Sequence, residues 1–156
     1  MFTTSILVRF GDLDAAGIAY YPNLVNFLHE AFEDFFVGHV GKPYPEVFRA
    51  GLGFPTVKVD MEFLHPVHYG DHVDISVVVE KVGRSSVRIR YEGSVAGRPV
   101  FRAVNTAVVV DMKTFRPVAV PDWLRQRFEA GAEAGPAGTA VRRRRATSGG
   151  TRGGPA

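Results

Sequence analysis

A broad stripe of aromatic residues is the feature that most constrains the fold of this chain. Pro22 is well placed as the first helical residue, because its missing N–H would have no intrahelical partner there. Apolar side chains then recur at helical spacing: Leu24, Phe27, Leu28, Ala31, Phe32, Phe35 and Phe36. Polar residues occupy the other side: Asn23, Asn26, Glu30, Glu33 and Asp34. Because the stripe is wide, the sequence predicts a largely enclosed helix that ends at Gly38 or Gly41.

The period of the apolar residues changes from helical to alternating after this helix. In the segment that begins at Thr56, four apolar residues are predicted to face one way: Val57, Val59, Met61 and Phe63. Further strands are predicted at Thr4–Phe10, Asp71–Val82, Ser86–Val95 and Val100–Asp111, with a short second helix at Tyr44–Ala50. One long apolar helix and about five antiparallel-type strands predict an α+β fold in which a curved sheet wraps the helix.

Composition changes sharply near residue 131. Residues 1–130 are predicted to form one domain, and residues 131–156, rich in Gly, Ala and Arg, are predicted to be disordered. Five of the 19 basic residues are arginines after residue 136, which leaves 14 against 16 acidic residues and a charge of −2 before that point. The absence of cysteine excludes disulfides and thiolate catalysis. With no apolar run long enough to span a membrane, we expect a cytoplasmic protein.

Two aspartates stand just before the aromatic helix. Asp14 lies several residues upstream of the helix start, and Gly17 allows the connecting loop to fold back tightly. A helix N-terminus offers unpaired N–H groups and partial positive charge, which can hold a developing oxyanion. A carboxylate beside such a site suits ester or thioester hydrolysis. From spacing alone, a second interpretation stays open, in which Asp12 and Asp14 only cap turns.

Other catalytic patterns are missing from the sequence. No G-x-S-x-G, H-E-x-x-H, P-loop or dinucleotide pattern occurs. His65, His68 and His72 have a spacing that would suit a metal on a helix, but Pro66 and Gly70 place them in a strand end and turn. We therefore expect neither a metal nor an organic cofactor.

The segment "GDLDAAGIAYYPNLVNFL" resembles the signature of the 4-hydroxybenzoyl-CoA thioesterase family of hotdog-fold proteins. The resemblance implies the hotdog fold, in which an antiparallel sheet wraps a long central helix. It also implies a dimer or tetramer with active sites at subunit interfaces. By position, Asp14 would be the catalytic carboxylate, the backbone N–H of Tyr21 would polarise the thioester carbonyl, and Gly17 would permit the loop geometry.

The same resemblance implies residues that contact the substrate. Arg84 and Ser85 fall in the turn where relatives hold the CoA phosphates, and arginine suits phosphate because it can bind two oxygens at once. His29 stands where some relatives carry a carboxylate near the acyl pocket, and His65 follows a strand that ends near that pocket. The implied activity is hydrolysis of an aromatic, hydroxybenzoyl-type acyl-CoA.

Three alternatives to this activity remain at the level of the sequence. The substrate could be a short- or medium-chain aliphatic acyl-CoA, the protein could bind thioesters without turnover, or it could be a hotdog dehydratase. Asp14 argues against a pure binding role, and no histidine adjoins it, as a dehydratase would need. For the arginine-rich tail, a solvated extension is favoured over nucleic-acid binding by counterion release.

Overall fold

The computed structural model describes residues 1–133 and 139–141 of the 156-residue chain. The long helix begins one residue before Pro22 and ends at Phe35, and Gly41, in the left-handed conformation at φ 81°, ends the π-helical turn that follows. In chain order the elements are β1 (Phe2–Leu7), a 3-10 turn (Phe10–Asp12), α1 (Tyr21–Phe35), the π-helical turn (Phe36–Val40), α2 (Tyr44–Arg49), β2 (Leu52–Gly53), β3 (Thr56–Phe63), β4 (His72–Val82), β5 (Ser86–Val95), β6 (Arg98–Val108), β7 (Val110–Asp111), α3 (Asp122–Glu133) and β8 (Thr139–Val141).

One sheet dominates the fold, with the strand order β3-β6-β5-β4-β1-β8. All of its neighbouring strands pair antiparallel except β1 and β8, which are parallel. A second, two-stranded sheet joins β2 to β7. The structure therefore confirms the predicted α+β arrangement, with five antiparallel strands around one long helix.

The aromatic stripe of α1 is the centre of the core. All seven predicted stripe residues are buried, and Phe27, Ala31 and Phe36 are completely so. Burying a side chain of this size contributes about 1.5–3 kcal/mol, so the stripe explains why the sheet closes over this helix. One prediction for the opposite side was wrong: Glu30 is buried, at 8% exposure, where it accepts a hydrogen bond from Asn26 Nδ2 at 3.1 Å.

Strand β3 departs from the predicted one-sided burial. Its alternation is present in the sequence, yet Val57 is 61% exposed, Val59 40% and Phe63 46%. The reason is its place at the edge of the sheet, where it pairs only with β6. An exposed apolar edge strand is a surface on which another chain can pair.

Two predicted boundaries also shift. The first strand ends at Leu7 instead of Phe10, because the chain turns there into the 3-10 turn. The helix α3 continues past the predicted domain end at residue 130 to Glu133, and β8, which lies wholly beyond that residue, pairs with β1. The rest of the predicted disordered tail lies outside the described residues. No helix within the described ranges is long and apolar enough to cross a membrane.

Candidate active site

The segment between β1 and α1 folds into a narrow hairpin. Leu13 and Ala19 form an antiparallel bridge, and the Tyr20 N–H donates to the carbonyl oxygen of Asp12 at 2.9 Å. The Asp14 N–H in turn donates to the Ile18 carbonyl oxygen at 2.9 Å. Asp14 therefore lies two residues along the hairpin from the point where the chain meets α1, about 7 Å at the rise of an extended strand.

Asp12 holds this hairpin in place. Its side chain is only 9% exposed, and Oδ2 accepts the Arg9 N–H at 2.8 Å. Its carbonyl oxygen also accepts Asn23 Nδ2 from the first turn of α1, at 3.0 Å. These contacts show that Asp12 fixes the hairpin against the helix and is not available to a substrate.

Asp14 has a different environment from Asp12. It is exposed, and its Oδ1 accepts the Ala16 N–H at 2.8 Å. No group among the described residues donates a hydrogen bond to Oδ2. The turn that presents the carboxylate closes with the Gly17 N–H on the Asp14 carbonyl oxygen, at 3.1 Å, and Gly17 takes φ 78°. Only glycine adopts that conformation without strain.

The N-terminus of α1 has one uncommitted donor. Pro22 has no N–H, and the N–H groups of Asn23 and Leu24 donate to the Tyr20 carbonyl oxygen at 2.8 and 3.4 Å. That leaves the Tyr21 N–H, which meets no acceptor among the described residues. The first turn of α1 contains no acidic side chain, and Tyr20 makes no side-chain cap. The partial positive charge of the helix end therefore stays available to an anionic oxygen.

An open cleft of about 400 Å³ adjoins this helix end. Tyr21 and Leu24 form one wall, and the segment after β3 forms the other. The Tyr21 ring packs edge-on against Phe63, with 6.1 Å between ring centroids. His65 lines the same cleft, and its Nδ1 lies 2.7 Å from the carbonyl oxygen of Pro99. The Nδ1 atom must carry the proton in that bond, which leaves Nε2 free to accept a hydrogen bond in the neutral ring.

His29 lies further along α1, beside a second cavity of about 210 Å³. Its Nε2 is 3.0 Å from Glu33 Oε1, and its ring packs edge-on against Tyr44. Burial raises the pKa of Tyr44, a backbone hydrogen bond with Phe54 opposes that rise, and the charge of Glu33 adds to it. Eight residues separate His29 from Tyr21, about 12 Å along the helix axis.

The predicted phosphate-contacting pair lies elsewhere in the chain. Arg84 and Ser85 occupy the turn after β4, whereas the Asp14 hairpin adjoins the beginning of β4. Since β4 has 11 residues, these two ends of the sheet are about 33 Å apart. Asp14, Gly17, Tyr21 and His65 therefore lie at one end of the sheet. Arg84 and Ser85 of the same chain lie at the other end.

Residues that the sequence reasoning did not single out also shape the site. Asn23 ties the hairpin to α1, and Phe63 flanks the helix end. Asn105 lines the second cavity from β6. Asn23 could have been identified from its place in the "YPN" segment, whereas Phe63 and Asn105 come from strands whose pairing the sequence does not give. No group of three or more His, Cys, Asp or Glu residues in the described part of the chain could hold a metal ion.

Known proteins share this architecture. The model of the thioesterase-like superfamily matches residues 8–128. A 1,4-dihydroxy-2-naphthoyl-CoA hydrolase of Nostoc punctiforme is 32% identical, over 82% of this chain and 86% of the relative. The structure of the gentisyl-coenzyme A thioesterase BH1999 superposes with a TM-score of 0.75 at 28% identity, over 81% of this chain and 98% of that one. A thioesterase-superfamily protein of Jannaschia sp. CCS1 gives 0.79 at 27% identity, over 85% and 94%.

A family model that spans the hairpin, α1 and the strands from β2 to β7 defines the class of protein. The chain belongs to the thioesterase-like superfamily. It is a thioester hydrolase with the hotdog fold. The narrower resemblance to 4-hydroxybenzoyl-CoA thioesterases is supported only at this wider level, because the relatives described above are named for other aromatic acyl groups.

Proposed function

We propose that this protein hydrolyses an aromatic acyl-CoA thioester, with Asp14 as the catalytic carboxylate and the Tyr21 N–H as the oxyanion donor. One observation carries the proposal: an exposed carboxylate with an uncommitted oxygen lies two residues along the hairpin from the start of α1, where the Tyr21 N–H has no acceptor among the described residues. A thioester carbonyl placed between the two would meet a nucleophile or base on one side and a donor on the other.

The chemistry needs only these groups and water. If Asp14 acts as a base, it takes a proton from water as the water oxygen bonds to the thioester carbon. The carbonyl oxygen becomes negative and is stabilised by the Tyr21 N–H and the helix dipole. Collapse of this intermediate breaks the carbon–sulfur bond, and the CoA thiolate takes up the proton. If Asp14 instead attacks directly, the carbon–sulfur bond breaks, CoA leaves as its thiolate, and water hydrolyses the resulting mixed anhydride in a second step to release the acid and the Asp14 carboxylate.

The walls of the cleft support an aromatic acyl group. Tyr21 and Phe63 present ring faces and edges beside the helix end, and Leu24 adds an apolar surface. Aromatic pairs in such geometry contribute about 0.5–1.5 kcal/mol beyond burial. The names of two relatives, a dihydroxynaphthoyl-CoA hydrolase and a gentisyl-CoA thioesterase, point the same way. A short- or medium-chain aliphatic acyl-CoA is the alternative substrate class.

The complete site requires more than one copy of the chain. Arg84 and Ser85 lie about 33 Å from the Asp14 hairpin within one chain, so they can reach the same CoA only from a second copy. The exposed apolar edge of β3, with Val57 61% exposed, supports a homo-oligomer formed along this strand. We therefore propose a dimer or tetramer in which one copy supplies Asp14 and another supplies the turn at Arg84.

Release of free CoA thiol from matched thioesters tests the reaction. Wild-type protein is expected to hydrolyse naphthoyl- and hydroxybenzoyl-CoA faster than butyryl- or octanoyl-CoA. The Asp14→Asn variant should lose about a thousandfold in kcat, within the range that general-base catalysis contributes, and keep its thermal unfolding midpoint. Asp74→Asn, which changes an exposed carboxylate on β4, is the matched control and should leave both unchanged.

Two results would overturn the proposal. Equal turnover in wild type and Asp14→Asn would remove Asp14 from the chemistry, and no hydrolysis of any thioester by wild type would remove the reaction itself. Turnover confined to aliphatic chains would keep the mechanism and replace the substrate class.

A further inference from the structure

The second cavity lies between α1 and the strands β3 and β6, about one helical turn further along α1 than Tyr21. Resting on the proposed function, we propose that this cavity receives the distal, hydroxyl-bearing part of a bicyclic aromatic acyl group, and that Asn105 accepts the hydrogen bond of that hydroxyl. This assigns Asn105 as a specificity-determining residue.

Asn105 is out of place among its neighbours on β6. The side chains of Ala103 and Ala107, two residues away on either side, are buried on the inner face of the sheet. The Asn105 Nδ2 atom donates to Thr56 Oγ1 at 3.2 Å, but its Oδ1 exposes less than 1 Å² and has no hydrogen-bond partner. Leaving a buried acceptor unpaired costs about 1–3 kcal/mol, so this side chain is not explained by stability alone.

The amide of Asn105 can turn its oxygen towards the cavity. Asn105 lines the cavity, and the torsion of a side-chain amide is broad and soft. A rotation that brings Oδ1 to face the cavity exchanges it with Nδ2 and gives up the 3.2 Å bond to Thr56 Oγ1. It gains the bond to a ligand hydroxyl, which satisfies the oxygen that lacks a partner in the free protein.

The size and walls of the cavity fit one aromatic ring. Its volume is about 210 Å³, and an apolar cavity of about 150 Å³ is known to bind benzene. Most of its lining is apolar or aromatic: Val25, Leu28, Phe32, Tyr44, Phe54 and Ala107 are among the lining residues. Thr56 and Asn105 supply polar groups on the β3–β6 side, and His29 supplies one on the α1 side.

The distance from the reacting carbonyl sets the length of the acyl group. A carbonyl bound at the Tyr21 N–H lies about 6 Å along the axis from Val25, which begins the cavity, and about 12 Å from His29. A ring attached directly to the carbonyl stays within the first helical turn. A second fused ring reaches the next turn, where Val25 and Leu28 line the cavity together with Asn105.

His29 is a poorer acceptor for this hydroxyl. Its Nε2 already lies 3.0 Å from Glu33 Oε1, and its side chain is 58% exposed. A ligand bond to Nε2 would have to replace that contact, whereas Asn105 Oδ1 has none to lose. On this proposal the polar contact with the acyl group is made by Asn105 and not by His29, where the resemblance placed it.

Binding of product-like acids tests this inference without requiring turnover. Calorimetric titration of wild type should show 6-hydroxy-2-naphthoic acid binding about three- to tenfold more tightly than 2-naphthoic acid, the range of one net hydrogen bond. Asn105→Leu should remove that preference and leave 2-naphthoic acid binding unchanged or tighter. Thr106→Val, at the next position of β6 with its side chain on the other face, should keep the preference.

Two further readouts separate the possible outcomes. The thermal midpoint of Asn105→Leu should not fall, because the variant loses an unpaired polar atom; a marked fall would show a structural role and overturn the inference. So would a hydroxyl preference that persists in Asn105→Leu. If the acids show an Asn105-dependent preference but their CoA thioesters are not hydrolysed, the inference stands and the proposed function fails. If the CoA thioesters are hydrolysed but the acids show no hydroxyl preference, the proposed function stands and the inference about Asn105 fails.

Discussion

The two ends of the main sheet use their polar groups in opposite ways. At the end where α1 begins, the Tyr21 N–H and one oxygen of the Asp14 carboxylate have no hydrogen-bond partner among the described residues. At the other end, three successive carbonyl oxygens in the turn between β4 and β5 accept hydrogen bonds. Arg125 Nη2 donates to the Gly83 carbonyl oxygen at 2.7 Å, and the carbonyl oxygens of Arg84 and Ser85 accept N–H groups at 2.8 and 2.7 Å.

The contrast shows how one small domain can hold reactive groups without unfolding around them. An uncommitted donor and carboxylate weaken the fold locally, because each forgoes a hydrogen bond. Asp12 and Asn23 offset this by binding the hairpin to α1 from the buried side. Stability at the Asp14 end therefore depends on residues adjacent to the proposed catalytic groups, and not on those groups themselves.

Replacing each of the two aspartates in turn gives the largest expected effects. It tests whether Asp12 supports stability while Asp14 serves the reaction. In Asp12→Ala the part-buried Arg9 N–H loses its acceptor, so the free energy of unfolding should fall by about 1–3 kcal/mol, or about 2–4 °C in the thermal midpoint for each kcal/mol. Activity should fall with it, because the hairpin that presents Asp14 loosens. Asp14→Ala should lose activity with no loss of stability. Similar midpoints for the two variants would contradict the division.

Glycine substitutions at the two ends sharpen the same contrast. Gly17 and Gly51 both have positive φ, at 78° and 95°, and a Cβ at either would meet no atom within 4 Å. Replacing either by Ala should cost about 1–2 kcal/mol of stability through backbone strain alone. Only Gly17→Ala should also lower kcat, by about tenfold, since a misplaced carboxylate loses the advantage of orientation. An equal loss of kcat in Gly51→Ala would show that strain, and not position, controls activity.

The fold was predictable from the sequence because periodicity reports local burial. The predicted stripe on α1 and the predicted bounds of β5, Ser86–Val95, agree with the structure. In both elements the spacing of the apolar residues shows which face is buried. The pattern in β3 misled for the same reason, since alternation gives a face but not what covers it. Glu30 was assigned to the solvent side because no sequence rule shows that the fold would cover that part of α1.

The candidate site was predictable only where its residues are close in sequence. Asp14, Gly17 and Tyr21 stand within eight residues, so the hairpin could be anticipated from its turn and helix signals. Asn105 and Phe63 reach α1 through strand pairing, and their positions follow from the register between β3 and β6. The separation of Arg84 from Asp14 likewise depends on the length and direction of β4, which motif matching does not consider.

Arg84, in the turn between β4 and β5, provides a test with a smaller expected effect at the other end of the sheet. If it contacts the CoA phosphates from a second copy, Arg84→Ala should raise KM by about two- to fivefold, as expected for an exposed ionic contact, with kcat unchanged. The effect should shrink at high salt and vanish for an acyl-pantetheine substrate without the nucleotide. Arg49→Ala, an exposed arginine on α2, is the control. An equal effect on the truncated substrate would exclude phosphate contact.

The smallest expected effect concerns Asp111, a carboxylate away from the Asp14 end that serves only the fold. The Thr114 N–H, followed by that of Lys113, lowers the pKa of Asp111 below its ordinary value. A lowered folded-state pKa means that the ionised form is preferred in the folded chain. Its contribution to stability is therefore present above the unfolded pKa of about 4 and lost as the pH falls through the folded value.

Asp111→Asn should thus lower the thermal midpoint slightly at pH 7 and progressively less below pH 4, until the two proteins unfold together. Thermal scans across this range measure the difference directly. Asp14 has no such pair of backbone donors, since its carboxylate accepts the Ala16 N–H alone. Asp14→Asn should accordingly show a midpoint that differs less from wild type at neutral pH than that of Asp111→Asn. A larger acid-dependent change of the thermal midpoint in Asp14→Asn than in Asp111→Asn would contradict this expectation. The fold would then stabilise the Asp14 carboxylate more than the Asp111 carboxylate, and the contrast between the two ends of the sheet would fail.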